Sequence, residues 1–255
     1  MTPAGLLQKA SRLPSVVRDG WNYPALRLQA QAESAVDAIR GLGFDESELL
    51  IYARAFNELA PELYAGLAER AREAGDEAAT EWAASPSGSS VEGKKLLYTL
   101  VRALRPEIVV ETGPFNGASS TFILRALEEN GAGRLISFDV AEARDALGVP
   151  IPRGQRPGWL VPPGLRGRFE LVLGDSRETL RPRLAGEPHI DLFFHDSLHT
   201  FRHMLFEFRV AWSRLASGGV LASDDVFWNP AFWLFTKRHR VPFRHIGTMG
   251  VTRKP

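Results

Sequence analysis

Two short stretches in the second half of the chain carry side chains that could do chemistry together. His195-Asp196-Ser-Leu-His199 sets a carboxylate three residues before an imidazole, and Asp224-Asp225 sets two carboxylates side by side. Each follows an apolar run, 190–194 and 220–223, of the kind that forms a buried strand. Asp196, His199, Asp224 and Asp225 are therefore expected at the carboxyl ends of neighbouring strands. Carboxylates gathered there repel one another unless a proton or a cation neutralises them. Oxygen donors without thiolates suit a hard divalent ion such as Mg²⁺, which would hold substrate oxygens and lower the pKa of the one that attacks. His199, with an ordinary pKa of about 6.5, suits proton removal near neutrality. Each residue also has a plainer role, since Asp196 could cap the next helix and Asp224-Asp225 could occupy a turn.

The stretch Glu107-Ile-Val-Val-Glu-Thr-Gly-Pro-Phe-Asn-Gly-Ala-Ser-Ser120 is the element the rest must be arranged around. Ile108, Val109 and Val110 are β-branched, as a strand buried on both faces prefers. Glu111 is expected at the strand's carboxyl end, and Gly113 and Gly117 would let the backbone turn sharply beside a ligand. Ser119, Ser120 and Thr121 open a helix whose apolar face runs through Phe122, Ile123, Leu124 and Leu127. In an open α/β sheet, ligands bind beside such a turn. A dinucleotide fingerprint fails, because it requires G-x-G-x-x-G and the spacing here is Gly113-x-x-x-Gly117. A carboxylate at the mouth would also repel a pyrophosphate, whereas it suits the ammonium and sulfonium of S-adenosylmethionine. A tight βα connection with no ligand would have the same composition.

Glu-x-Gly-x-x-x-Gly-x-Ser resembles the first motif of class I methyltransferases, specifically their O-methyltransferase branch. Phe115 departs from the commoner form of that motif, which has a glycine there. The resemblance implies a Rossmann-like, seven-stranded, mostly parallel sheet with helices on both faces. It also implies cofactor contacts from Glu111, Gly113, Asn116, Gly117 and Ser119. Asp139, ending a second strand at 134–140, would meet ribose hydroxyls. Asp175 and Ser176, after a third strand at 170–174, would reach the adenine edge or cap the helix 177–184. His195 is a candidate for lining the same pocket or a satisfied structural histidine.

The remaining chain supplies the frame. Residues 1–90 show no strand pattern and read as a helical cap, with a helix over 25–40 and another opened by the Asp45/Glu48 capping box and restarted at Pro61. This segment is expected to mediate oligomerisation or to cover the substrate, and Trp21 and Tyr23 could serve either role. A polar linker at 85–90 separates it from the domain at 91–255, where helix and strand alternate as in a parallel sheet. The proline-rich stretch 141–168 is a long insertion, read as a substrate-side loop packed through Trp159, Leu160 and Val161. Phe201, Met204, Leu205, Phe208, Trp212 and Leu215 mark one face of a helix stopped by Ser217-Gly-Gly219. Phe227, Trp228, Phe232, Trp233 and Phe235 would pack the last crossover helix, with one or two free to wall a ring substrate. Residues 241–254 read as a terminal hairpin.

With 31 basic and 30 acidic residues among 255, nothing in the charge balance argues for nucleic acid. The absence of cysteine excludes disulfides and thiolate metal sites. No apolar run approaches the length of a membrane span, so a soluble, cytoplasmic protein without a membrane partner is expected.

Asp-x-x-His after strand four with Asp-Asp after strand five looks like the metal-dependent O-methyltransferases of sugars and natural products, a group that includes cephalosporin hydroxylase-like proteins. The catechol O-methyltransferases have a related arrangement, with lysine for the histidine and asparagine for the second aspartate. The likeness spans about residues 91–255. It implies Mg²⁺ on Asp196, Asp224 and Asp225, with His199 as the base acting on a small-molecule hydroxyl. A metal-independent methyltransferase, a metal-dependent hydroxylase or hydrolase, and a non-catalytic cofactor-binding module are the alternatives. The facial-triad version of the second fits poorly, because such a site usually takes two histidines.

Overall fold

β1 (Ile108–Thr112) is buried at all five residues, which fixes it in the middle of the molecule. In the computed structural model, which describes residues 30–84, 89–143 and 151–255, it belongs to a seven-stranded sheet. The other strands are β2 (Arg134–Asp139), β3 (Phe169–Leu173), β4 (Ile190–His195), β5 (Leu215–Ser223), β6 (Phe243–Ile246) and β7 (Met249–Arg253). Their order is β3-β2-β1-β4-β5-β7-β6. The first five run parallel, and the β6–β7 hairpin adds antiparallel to β5. The order reverses between β1 and β4, and such a switch point leaves a crevice at the carboxyl ends of the strands.

Strand alternation splits the core between the two faces of the sheet. Val109 belongs with Leu192 and Phe194 on one face, whereas Ile108 and Val110 belong with Phe193 on the other. The first face is covered by the N-terminal helices α1 (Ala35–Arg40), α2 (Glu46–Glu73) and α3 (Glu77–Ala84), then α4 (Ser89–Leu104) and α5 (Ala118–Asn130). The second is covered by α6 (Ser176–Ala185), α7 (Phe201–Arg214) and α8 (Ala231–His239). Phe56, Tyr64, Phe122 and Tyr98 meet ring to ring between α2, α4 and α5. Each such buried ring contributes on the order of 2–3 kcal/mol, so the N-terminal helices share the core of the sheet.

Several boundaries differ from the sequence reading. The expected helix over 25–40 is confirmed only from Ala35, where Ser34 accepts from the Asp37 N–H as N-cap; just before it, Gln31 bridges to His245. Residues 1–29, with Trp21 and Tyr23, lie outside the described residues, as do 85–88 of the linker and 144–150 of the insertion. Pro61 does not restart a helix. It sits exposed inside the continuous α2, where only one N–H is lost to the ladder. The helix expected to end at Ser217 ends at Arg214, because the backbone from Leu215 already pairs with Ile190. The cap of α2 is as expected, with Asp45 accepting from the Glu48 N–H at 3.1 Å.

Candidate active site

Backbone hydrogen bonds stitch the strand ends around the switch point. The Gly113 N–H reaches the Phe138 carbonyl, Asp196 reaches Thr112, and Asp224 reaches His195, each at 2.8–2.9 Å. Gly113 has φ +78°, and a Cβ there would stand 2.2 Å from the Asp196 carbonyl oxygen. The turn after β1 therefore lies directly against the end of β4, bringing the first motif to the Asp196 stretch. Gly117, φ +92°, starts α5 and lies against Gly158.

Part of the long insertion is a brace for this turn. The N–H groups of Gly158 and Leu160 donate to the carbonyls of Phe115 and Asn116, both at 2.8 Å. Arg70 of α2 in turn donates to the Leu160 carbonyl at 2.7 Å. Trp159, Leu160 and Val161 are buried, as expected.

Glu111 lies inside β1 with no exposed surface, rather than at its mouth. Its oxygens accept from the hydroxyls of Ser119, Ser120 and Ser137 at 2.5, 2.5 and 2.7 Å. Burial raises its pKa above the ordinary value, opposed by those three donors. Asn116 is partly buried and accepts from the Ala118 N–H at 3.0 Å. Asp139 ends β2 and accepts from the N–H groups of Phe115 and Val140 at 2.9 and 2.8 Å. Burial pushes it up to about 6 despite those bonds. Each of its oxygens keeps a lone pair for a further donor.

Asp175 caps α6 through the Arg177 N–H and is held down to about 2, chiefly by the Arg177 side chain. Ser176 points the other way, donating to Glu207 at 2.5 Å. His195 is fully buried, with Nδ1 2.6 Å from Glu207 Oε2. Burial alone would raise the Glu207 pKa, but the imidazoles of His195 and His203 hold it well below the usual range. Glu207 and His203 were not singled out in the sequence. Their signal is a polar pair four residues apart, immediately beside the apolar Met204 and Phe208.

The mouth of the crevice holds the remaining candidates together. His199 stands between two carboxylates, Nε2 3.8 Å from Asp196 and Nδ1 3.9 Å from Asp225. Burial, reinforced by His195, lowers its pKa to about 4, so the imidazole is neutral at physiological pH and a weaker base than the ordinary value suggests. Asp196 is pushed well up by burial and by Asp224, and Asp225 up to about 6 by the same two causes. Asp225 takes φ +49°, and its carbonyl accepts from the Trp228 N–H. Asp224 accepts from the Asp225 N–H and from Thr248 Oγ1. Among the described residues, no three His, Asp or Glu side chains converge as a metal cage. Trp228 is 65 % exposed, with its ring 6.0 Å from that of His199, while Phe232, Trp233 and Phe235 are buried as expected.

The fold is the class I methyltransferase fold, with the first-motif turn, Asp139 and the Asp196–His199 stretch gathered at its switch point. Residues 110–226 match a family model described as a methyltransferase domain. An O-methyltransferase from Bacillus cereus, solved with S-adenosylhomocysteine, superposes with a TM-score of 0.53 at 17 % identity, covering 81 % of this chain and all of that one. The O-methyltransferase of tomaymycin synthesis from Streptomyces achromogenes, solved with S-adenosylmethionine, gives 0.51 at 19 % identity, covering 76 % and 90 %. A Podospora anserina methyltransferase with S-adenosylhomocysteine gives 0.51 at 14 %, covering 74 % and 88 %. At these identities the likeness is one of fold. No curated protein matches the chain. The match over residues 110–226 and the shared fold make the chain similar to class I methyltransferases. Among the described residues no helix is long and apolar enough to cross a membrane.

Proposed function

We propose that the chain transfers the methyl group of S-adenosylmethionine to a hydroxyl of a small molecule, a sugar or a natural product, with His199 accepting the hydroxyl proton. The observation that carries this reading is the place of His199, a neutral imidazole between Asp196 and Asp225 at the edge against which the first-motif turn is packed.

S-adenosylmethionine, when bound, supplies an electrophilic methyl group on a sulfonium. Asp139 has lone pairs to spare for ribose hydroxyls, and Glu111 beneath the turn provides negative potential toward the ammonium and sulfonium. Gly113, Asn116, Gly117 and Ser119 shape the turn; Asp175 is the candidate for the adenine edge, whereas Ser176 and His195 are buried on Glu207 and would support that side from beneath. As the acceptor oxygen attacks the methyl carbon, the C–S electron pair stays on sulfur and the hydroxyl proton passes to His199. Asp225, ionised above about pH 6, stabilises the resulting imidazolium from 3.9 Å. Holding oxygen and methyl carbon in line supplies on the order of 7–11 kcal/mol in the best intramolecular cases.

Mg²⁺ would find two mutually repelling carboxylates, Asp196 and Asp224, with Asp225 beside them, and an ion of this kind commonly takes only one or two carboxylates plus waters and substrate oxygens. The three do not form a cage as they stand, so no step is assigned to the ion. The exposed Trp228 ring beside His199 supports an acceptor with a flat face. Exposed Leu50 and Ile51 on α2 support self-association through the N-terminal helices. Transfer of a labelled methyl group to sugar and phenolic hydroxyls tests the reading. Labelling lost in His199→Asn with cofactor binding intact is the expected result, and undiminished labelling in that variant would remove His199 from the mechanism.

A further inference from the structure

Glu207 sits on α7 with no exposed surface and no Lys or Arg among its hydrogen-bond partners. It gathers groups from elements that meet only at the switch point. Thr112, the last residue of β1, donates at 2.7 Å, and Ser176, the first of α6, at 2.5 Å. His195, the last of β4, approaches at 2.6 Å, with Ser197 at 3.1 Å and His203 at 2.8 Å. A buried carboxylate is costly to desolvate, and apolar packing of similar volume often serves stability as well or better. A role beyond packing is visible in the one member of the network that is left incomplete.

That member is His195. Glu207 can only accept, so Nδ1 carries the hydrogen, and in the neutral ring Nε2 then keeps a bare lone pair. Nε2 is buried without a partner, and so is Nε2 of His199. The two rings stand edge to face with centroids 5.2 Å apart. The tautomer set by Glu207 thus decides what His195 presents to the neighbourhood of His199.

We propose that Glu207 is a positioning residue of the methyl-transfer site, locking His195 in the Nδ1–H tautomer so that a hydrogen-bond acceptor, not a donor, faces the side of His199. The proposal rests on the reading of His199 as the base.

The test is nitrogen-15 NMR of the full chain with labelled histidine, in wild type, Glu207→Gln and Glu207→Ala, with His195→Asn to assign the signal. Wild type and Glu207→Gln, which keeps an acceptor oxygen, are expected to show His195 as Nδ1–H. Glu207→Ala is expected to show mixed tautomers. Where Glu207→Ala does not fold, Glu207→Asp, whose shorter carboxylate draws back from Nδ1, takes its place. An Nε2–H tautomer in wild type, or an unchanged one in the shortened variants, would overturn the proposal. In methyl transfer, loss of the lock is expected to lower kcat by about 10²-fold, as for a misplaced reacting group, leaving the KM for S-adenosylmethionine nearly unchanged. Substantial recovery in Glu207→Gln is expected. A fall in thermal stability with kcat of the folded protein unchanged would show a structural role only and would also overturn it. If wild type methylates no acceptor, the reading of the reaction fails while the tautomer measurement still decides the role of Glu207.

Discussion

Replacing Asp139 by asparagine should weaken cofactor binding without costing the protein its stability. In the folded chain the carboxyl is pushed up from 3.8 to about 6, chiefly by burial. The shift of about 2 units corresponds to up to about 3 kcal/mol against the charged form. The folded pKa lies above the unfolded one, so Asp139 favours the fold fully below about pH 4, and that contribution is lost as pH rises through about 6. Asparagine carries no charge to desolvate, but its amide has one oxygen for two backbone N–H groups. Leaving one of those donors unmet costs about 1–3 kcal/mol. The balance above pH 7 is a variant as stable as wild type or up to about 2 kcal/mol more stable. Its stability should also lack the decline between pH 4 and 6 that wild type shows. Losing a charged acceptor for ribose hydroxyls costs about 1.5–3 kcal/mol, or roughly 10- to 150-fold in affinity. Urea unfolding at several pH values and equilibrium dialysis of labelled S-adenosylmethionine measure the two effects separately. A variant that binds the cofactor as well as wild type would refute the assignment of Asp139. One that keeps the pH-dependent decline would refute the electrostatic argument.

Other perturbations separate the parts of the site. His199→Asn should lower kcat by about 10²–10⁴-fold and leave cofactor affinity unchanged, as read by stopped-time methylation and dialysis. Gly113→Ala places a Cβ 2.2 Å from the Asp196 carbonyl at φ +78°, whereas Gly131→Ala at φ +72° meets nothing. The second should cost about 1–2 kcal/mol from conformation alone; the first should cost clearly more and abolish cofactor binding. Removing divalent ions with EDTA should leave S-adenosylmethionine binding unchanged, as read by dialysis, and a fall in turnover that Mg²⁺ restores would put an ion on Asp196 and Asp224.

How much of this was legible in the sequence follows from how local each signal is. Strands such as Ile108–Thr112 and helix faces such as Met204–Phe208–Trp212 are written in periodicity, and their placement in the sheet follows from right-handed parallel connections. The carboxylates at the strand ends were visible because strand ends are readable. Glu111 was misplaced by depth alone, since a sequence shows that a carboxylate ends a strand but not that three serines will cover it. Glu207 escaped notice because it lies at the edge of an apolar helical stripe, where a glutamate ordinarily faces water. Its partners come from positions 31 to 95 residues upstream and from the stretch just before α7. The boundary errors at Leu215 and around Gln31 share a cause, because strand pairing with distant segments overrode local preference.

The central claim is that this switch point binds S-adenosylmethionine for methyl transfer. Calorimetric titration of the purified chain with S-adenosylmethionine and, separately, with NAD tests it most directly, with Mg²⁺ and with chelator. Micromolar binding of S-adenosylmethionine, weakened in Asp139→Asn, with no binding of NAD, is the predicted result. Failure to bind S-adenosylmethionine under either condition would contradict the account, and the acidic edge around His199 would then have to serve another reaction.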